Sequence, residues 1–165
     1  MSRLSSIFPA FSERLKGKDA ASAAAPACGC GASKTPAELR AELGEERYRV
    51  LFEEATEYAH SSPLNAEKRD GTFICASCHQ PLFDSSRKYN SGTGWPSFWE
   101  ALPGAVGFKT DHKLIMPRTE YHCSRCGGHQ GHVFDDGPQP TGQRFCNNGL
   151  ALDFVPRDEQ LPPLR

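Results

Sequence analysis

Residues 71–78, GTFICASC, and 119–126, TEYHCSRC, each carry a short apolar or alternating run into a Cys-X-X-Cys pair. A CxxC loop presents two thiolates on one side of a tight turn, and two such knuckles complete a tetrahedral sulfur site with Zn–S distances of about 2.3 Å. Cys75, Cys78, Cys123 and Cys126 are therefore the expected ligands of one Zn2+ per chain. Zinc suits four soft anions and brings no redox chemistry. Iron at the same sulfurs and a pair of redox-active disulfides are the rival readings. A thioredoxin-like CxxC sits between a strand and a long helix in a βαβ unit, and neither pair here has that setting. Four thiolates close the coordination sphere, so the ion is expected to hold the fold rather than to activate a water. His79, next to Cys78, is not needed as a further ligand and reads as a surface or supporting residue.

Outward from the knuckles the texture stays the same. AVGFKT (105–110), HKLIMP (112–117), GHVFDD (131–136) and ALDFVP (151–156) are short apolar or alternating runs broken by Gly, Pro, Asp and Asn. Together they predict six to eight short antiparallel strands. No dozen-residue helical segment separates them, which disfavours a doubly wound sheet. Helices are expected only before residue 71. Thr35-Pro36-Ala37-Glu38 is a capping-box start, and Gly44 interrupts. A second helix is expected from about Glu45 to Ala59, with a buried stripe of Tyr48, Leu51, Phe52, Ala55 and Tyr58 or Ala59. Residues 1–34 read as an Ala/Gly-rich flexible tail containing Cys28-Gly29-Cys30, residues 35–157 as the working domain, and residues 158–165 as a short C-terminal tail.

The composition narrows the function classes. Nineteen basic and twenty acidic residues leave a formal charge of -1, which argues against broad capture of nucleic-acid backbones. No apolar run is long enough to span a membrane and no signal-peptide core opens the chain, so a reducing, cytoplasmic setting, with no membrane partner, is expected. A monomer is expected. The seven cysteines are an odd count, and five remain once either knuckle is set aside.

With both knuckles set aside, Cys146 stands in Gln143-Arg144-Phe145-Cys146-Asn147-Asn148-Gly149. A thiolate beside Arg144 is expected to have a lowered pKa and to be a better nucleophile. Upstream, Gly128-His129-Gln130-Gly131-His132 places two histidines where a strand is expected to begin, so that a loop can bring both to one cleft. Such residues protonate a leaving or developing oxygen. Asp136 is expected to orient one of them or to pair with Arg144. In Asn90-Ser91-Gly92-Thr93-Gly94-Trp95-Pro96-Ser97-Phe98-Trp99, the two tryptophans read either as a pocket wall or as plugs at the end of a sheet.

Three stretches, 71–99 (GTFICASCHQPLFDSSRKYNSGTGWPSFW), 117–138 (PRTEYHCSRCGGHQGHVFDDGP) and 141–154 (TGQRFCNNGLALDF), together resemble the B-type peptide-methionine (R)-S-oxide reductases. The resemblance covers about residues 36–156. It implies a mainly β fold of two antiparallel sheets in a tent-like, β-barrel-related arrangement, stapled by zinc, with short N-terminal helices. It implies that Cys146 is the nucleophile and that His129 and His132 bind or protonate the sulfoxide oxygen. Asn148, Arg144 and Asp136 match further positions of the catalytic motifs, and Trp95 would pack on the substrate methyl group. The implied reaction reduces the R diastereomer of protein-bound methionine sulfoxide and leaves Cys146 as a sulfenic acid, with oxidised proteins or peptides as substrates. Many members place a resolving cysteine where this chain has Thr93. Cys28 or Cys30 is therefore expected to resolve Cys146 ahead of thioredoxin or a comparable thiol, unless such a thiol attacks Cys146 directly. The competing class is a zinc-ribbon module that binds protein or nucleic acid without turnover; it would assign no role to Cys146.

Overall fold

The computed structural model describes residues 34–112 and 117–165. Cys28, Cys30 and the middle of the run HKLIMP lie outside the described residues. Two short helices open the described chain, α1 (Pro36–Leu43) and α2 (Glu45–Glu53). The capping box forms as expected: the Thr35 hydroxyl accepts from the Glu38 amide while the Glu38 carboxylate accepts from the Thr35 amide at 2.7 Å. Gly44, at φ 82°, turns the chain between the helices. Tyr48, Val50 and Leu51 form the buried side of α2.

The second helix stops at Glu53 and does not continue to Ala59. Glu54 takes a left-handed conformation, φ 54°. The chain then threads Thr56 and Glu57 against residues 148–150, where the buried Glu57 carboxylate accepts the amides of Gly149 and Leu150 at 2.6 and 2.9 Å. A helix continuing past Glu53 would carry Glu57 away from both donors. Tyr58, expected on the buried stripe, is instead 90% exposed.

Nine strands follow among the described residues. β1 (Gly71–Cys75), β2 (Pro81–Asp84) and β9 (Leu152–Pro156) form a three-stranded sheet with β1 in the centre. The second sheet holds six: β3 (Lys88–Tyr89), β4 (Ser97–Phe98), β5 (Val106–Asp111), β6 (Arg118–Cys123), β7 (His129–Phe134) and β8 (Arg144–Asn147). Its order is β3-β4-β8-β7-β6-β5, and every pairing in both sheets is antiparallel. The fold is mainly β, as the run of short apolar segments implies.

Aromatic rings fill the space between the sheets. Phe83 of β2 stacks on Phe98 of β4 with ring centroids 4.1 Å apart, and Phe73 of β1 meets the same ring edge-on at 4.9 Å. Tyr121 of β6 packs edge-on against Phe145 of β8 at 5.2 Å. Such pairs contribute about 0.5–1.5 kcal/mol each beyond the area they bury. The buried Tyr121 hydroxyl donates to Asn147 Oδ1 at 2.7 Å, so the ring brings no unsatisfied polar atom into the core.

β7 and β8 lie so close that a Cβ at Gly131 would sit 1.9 Å from the Cys146 carbonyl oxygen. Gly131→Ala is therefore expected to push the two strands apart and to lower stability by about 1–3 kcal/mol, the usual cost of overpacking; urea unfolding of the two proteins checks this.

Candidate active site and metal centre

The four knuckle cysteines converge. Their sulfurs all lie within 4.8 Å of one another, with Cys75 Sγ 3.7 Å from Cys126 Sγ and Cys78 Sγ 3.6 Å from Cys123 Sγ. A tetrahedral ion with 2.3 Å bonds to sulfur requires edges of about 3.8 Å, whereas a disulfide requires about 2.05 Å. The geometry fits a four-thiolate metal and not a pair of disulfides. Both knuckles use one local design. The residue after the second cysteine has positive φ, 62° at His79 and 73° at Gly127, and donates its amide to the first cysteine's carbonyl at 2.9 Å. His79 is no ligand: its Nδ1 lies 2.9 Å from the Pro163 carbonyl oxygen. Residues 158–165 end against this first knuckle, where the Arg165 amide donates to the Cys78 carbonyl at 3.1 Å and its guanidinium pairs with Glu42 of α1 at 2.6 Å.

On the second sheet, one transverse row of directly opposed residues holds the reactive groups: Ser97, Cys146, His132, Glu120 and Lys109. Directly opposed residues of an antiparallel ladder share a face. The strand starts earlier than Val133: His129 is its first residue and His132 its fourth, so both belong to β7. Three residues apart in a regular strand, they would face opposite sides. A β-bulge prevents this. Tyr121 opposes Gly131 and His122 opposes His129, which leaves Gln130 as the extra residue. The bulge restores His129 to the face of His132, and their ring centroids are 5.6 Å apart. Bulges re-aim side chains in this way beside functional sites.

Each histidine has an acidic neighbour that motif reading did not find. His132 Nε2 lies 2.8 Å from Asp111 Oδ2, which also accepts from Arg118 at 2.8 Å. An ionised carboxylate only accepts, so Nε2 carries the hydrogen and the ring orientation is set. His129 Nδ1 lies 2.9 Å from Glu120 Oε1, a close electrostatic contact without hydrogen-bond alignment, and Lys109 approaches the same oxygen at 3.2 Å. His129 is 2% exposed, and burial holds its pKa below the ordinary histidine value, with Glu120 pulling part of the way back. Asp136 pairs with Arg144 in a two-pronged contact at 2.7 and 2.9 Å rather than with a histidine.

Cys146 does not have the lowered pKa that its neighbour Arg144 led us to expect. Burial pushes the thiol above its ordinary value of 9.0. The Arg144 charge and the Thr93 hydroxyl draw it downward, and Asp136 offsets part of the arginine's effect. Desolvation wins because the sulfur is largely shut off from water while the guanidinium is already shared with a carboxylate.

Cys146, His132, Trp95 and Asn148 line one pocket of about 130 Å3, together with Thr56, Arg118, Gly131 and Phe134. His129 is not on its wall. Trp95 and Asn148 are both held by Glu57: the Trp95 indole donates to the Glu57 carbonyl at 3.2 Å, and Asn148 Oδ1 accepts the Glu57 amide at 3.2 Å. Asn148 also donates from its side chain to the Gln130 carbonyl at 3.1 Å. The second tryptophan, Trp99, stands apart from the pocket, with the Arg87 guanidinium over its ring at 4.2 Å. Glu57, Asp111 and Glu120 are the site residues that sequence reasoning missed. Each acts across more than a turn of chain, and a single sequence marks none of them as special.

The SelR domain model matches residues 43–156. The chain is 52% identical over 126 residues to a peptide methionine sulfoxide reductase MsrB of Thiobacillus denitrificans, covering 76% of this chain and 96% of that protein. It is 48% identical to the protein of that name from Pseudomonas putida (76% of this chain, 95% of that one). The corresponding value for Methanosarcina mazei is 43% (76% and 91%).

Two outcomes test the electrostatics. The thiol's raised pKa means that its thiolate fraction still grows from pH 7 to pH 9. Alkylation of Cys146 by iodoacetamide, followed by peptide mapping, should accelerate about tenfold per pH unit over that range, with no plateau near neutrality. Arg144→Met removes the charge that favours the anion and should slow the reaction at pH 8. Glu57→Gln leaves one of two buried amides facing a donor and should lower stability by about 1–3 kcal/mol in urea unfolding.

Proposed function

The chain belongs to the SelR family of B-type peptide-methionine (R)-S-oxide reductases, and we propose that Cys146 is the nucleophile with which it reduces the R diastereomer of methionine sulfoxide in oxidised proteins and peptides. The observation that carries this assignment is the opposition of Cys146 and His132 across the β7–β8 ladder, on the wall of a pocket that also contains Trp95. The zinc-ribbon alternative has no use for that arrangement.

A sulfoxide sulfur is weakly electrophilic and becomes more so as its oxygen receives a hydrogen bond or a proton. In our reading His132 reaches the pocket with Asp111 holding Nε2–H, and it serves the oxygen from Nδ1 when the ring carries its second proton. His129, buried behind it with no aligned partner on either ring nitrogen, supports that environment. Trp95 holds the S-methyl group, and Asn148 borders the sulfur. Only one diastereomer can then direct oxygen to His132 while its sulfur faces Cys146. The Cys146 sulfur, as thiolate, attacks the substrate sulfur. The new S–S bond forms as the substrate oxygen takes up two protons and leaves as water. A water then attacks Cys146 Sγ and loses a proton, the S–S bond breaks, methionine leaves, and Cys146 is left as a sulfenic acid. The raised thiol pKa is consistent with a nucleophile that loses its proton as the substrate oxygen gains one. Arg144, fixed by Asp136, favours the anion.

A first thiol then displaces water from the sulfenic acid to give a disulfide, and a second thiol releases Cys146. Thioredoxin or a comparable dithiol fits that role. Thr93 lies by the sulfur but forms no disulfide, so Cys28 or Cys30 remains the proposed internal resolving thiol. Residues 35–157 are the proposed catalytic unit, acting as a monomer. Zn2+ is the proposed occupant of the four-sulfur site, where Cys75, Cys78, Cys123 and Cys126 would hold it and it would tie the two knuckles together. A reducing compartment such as the cytoplasm is the proposed setting, since a working thiol and metal-bound thiolates persist there. Among the described residues no helix is long and apolar enough to cross a membrane.

With dithiothreitol and each diastereomer of a blocked methionine sulfoxide, the protein should reduce the R form, and Cys146→Ser should lose that activity. His132→Gln is expected to lower kcat by roughly 10²–10⁴-fold, and His129→Gln by less. Equal losses would contradict the division of roles. Metal analysis should find about one zinc per chain, and Cys75→Ser should lose both the metal and the cooperative melting transition.

A further inference from the structure

We propose that the groove between α2, residues 55–64 and residues 149–154 seats the stretch of polypeptide flanking the oxidised methionine, with a preference for apolar flanks. This rests on reading the Cys146 pocket as the sulfoxide site. That pocket, at about 130 Å3, has room for one side chain, so the backbone of a protein-bound substrate must run across its mouth. The groove begins there. Thr56 lines both the pocket and the groove, which continues past Glu57 and Tyr58 as a cleft of about 640 Å3. That lies within the size range of clefts that bury ligands, roughly 300–1,000 Å3.

The chemistry of the walls selects the occupant. Ala55, Leu64, Leu150 and Phe154 supply apolar surface, and Glu46 and Arg49 of α2 also stand on the wall. Arg47 and Asp153, which also line the groove, cancel one another's charge in a two-pronged pair at 3.1 and 2.7 Å. The opposite side of the pocket mouth offers Phe134 and the paired Arg118 and Asp111. The longer apolar wall therefore lies on the Thr56 side. Methionine in folded proteins sits mostly among apolar neighbours, and those neighbours accompany it when an oxidised segment is exposed. Tyr58 stands at the rim with 90% of its surface in water, an amphipathic side chain of the kind that covers a bound chain. The left-handed turn at Glu54 that ends α2 early is what places it there.

The test compares steady-state kinetics, with dithiothreitol as reductant, for two substrates: N-acetyl-methionine-(R)-sulfoxide methylamide, and an octapeptide carrying the same residue between leucines. The parent protein should show a kcat/KM roughly tenfold higher for the peptide, equivalent to a well-buried anchor. Tyr58→Ser strips the rim, and Ser61→Trp fills the groove from an exposed wall position. Each should abolish the peptide's advantage and leave the blocked amino acid within about twofold of the parent. The proposal is overturned if the parent gains nothing from the leucine flanks, or if the gain survives both variants. It is equally overturned if both variants leave these kinetics unchanged and raise the KM for thioredoxin, since the groove would then belong to the reductant. Failure of the underlying reading looks different: Cys146→Ser would then reduce the blocked amino acid as well as the parent does.

Discussion

One extra residue in β7 holds the molecule's two halves in register. Gln130 interrupts the β6–β7 ladder, and from that position it touches both centres. Its side-chain amide donates to Cys75 Sγ at 3.6 Å, and its carbonyl accepts from the backbone amide and the side chain of Asn148 at 2.8 and 3.1 Å. The bulge that turns Gln130 toward the sulfur cluster is the same bulge that brings His129 onto the face of His132 and Cys146. The four-sulfur site is therefore more than a distant staple. It anchors the start of β7, whose register decides which way the histidines point.

Around that constraint several polar groups of the site are matched to particular partners, while His129 is buried without an aligned one. Glu57 serves the amides at residues 149 and 150 while its own backbone holds Trp95 and Asn148. Asp111 holds His132, and Asp136 holds Arg144. Burying such groups is unfavourable unless every partner is supplied, and once supplied they leave little freedom to relax. The same burial explains the thiol: the dry environment that strengthens the hydrogen bonds also disfavours a resting anion on Cys146. A chain that kept its nucleophile neutral at rest would expose less thiolate to stray oxidation, the first step of the thiol oxidation ladder.

Much of this was legible in the residues because the signals were local. The capping box at Thr35, the knuckle turns and the strands at 71–75, 106–111, 118–123, 129–134 and 152–156 depend on neighbours within a few positions and appear where the chain's pattern puts them. By contrast, β2, β3, β4 and β8 fall outside the apolar runs, and 113–116 lie outside the described residues. Where the periodic pattern of α2 promised a longer helix, a long-range demand overruled it: Glu57 is needed 91 to 93 residues away along the chain. The lowered thiol pKa expected from Arg144 failed for a related reason. Sequence adjacency reports the charge but not the depth at which the sulfur is buried, nor the carboxylate that shares the guanidinium.

By itself, then, the sequence determined the four-cysteine cluster and the β architecture, and it singled out Cys146 and the pair of histidines as the groups proposed to react, since each is written as a residue type in a short, chemically constrained pattern. Only the tertiary structure decided which histidine reaches the pocket, which carboxylates orient the pair, and where the wall beside Trp95 opens into a groove. Those outcomes depend on strand register and on contacts between distant segments. A single inserted residue, Gln130, reverses the face of every side chain on one side of it, and that reversal becomes visible only once β6 is laid alongside.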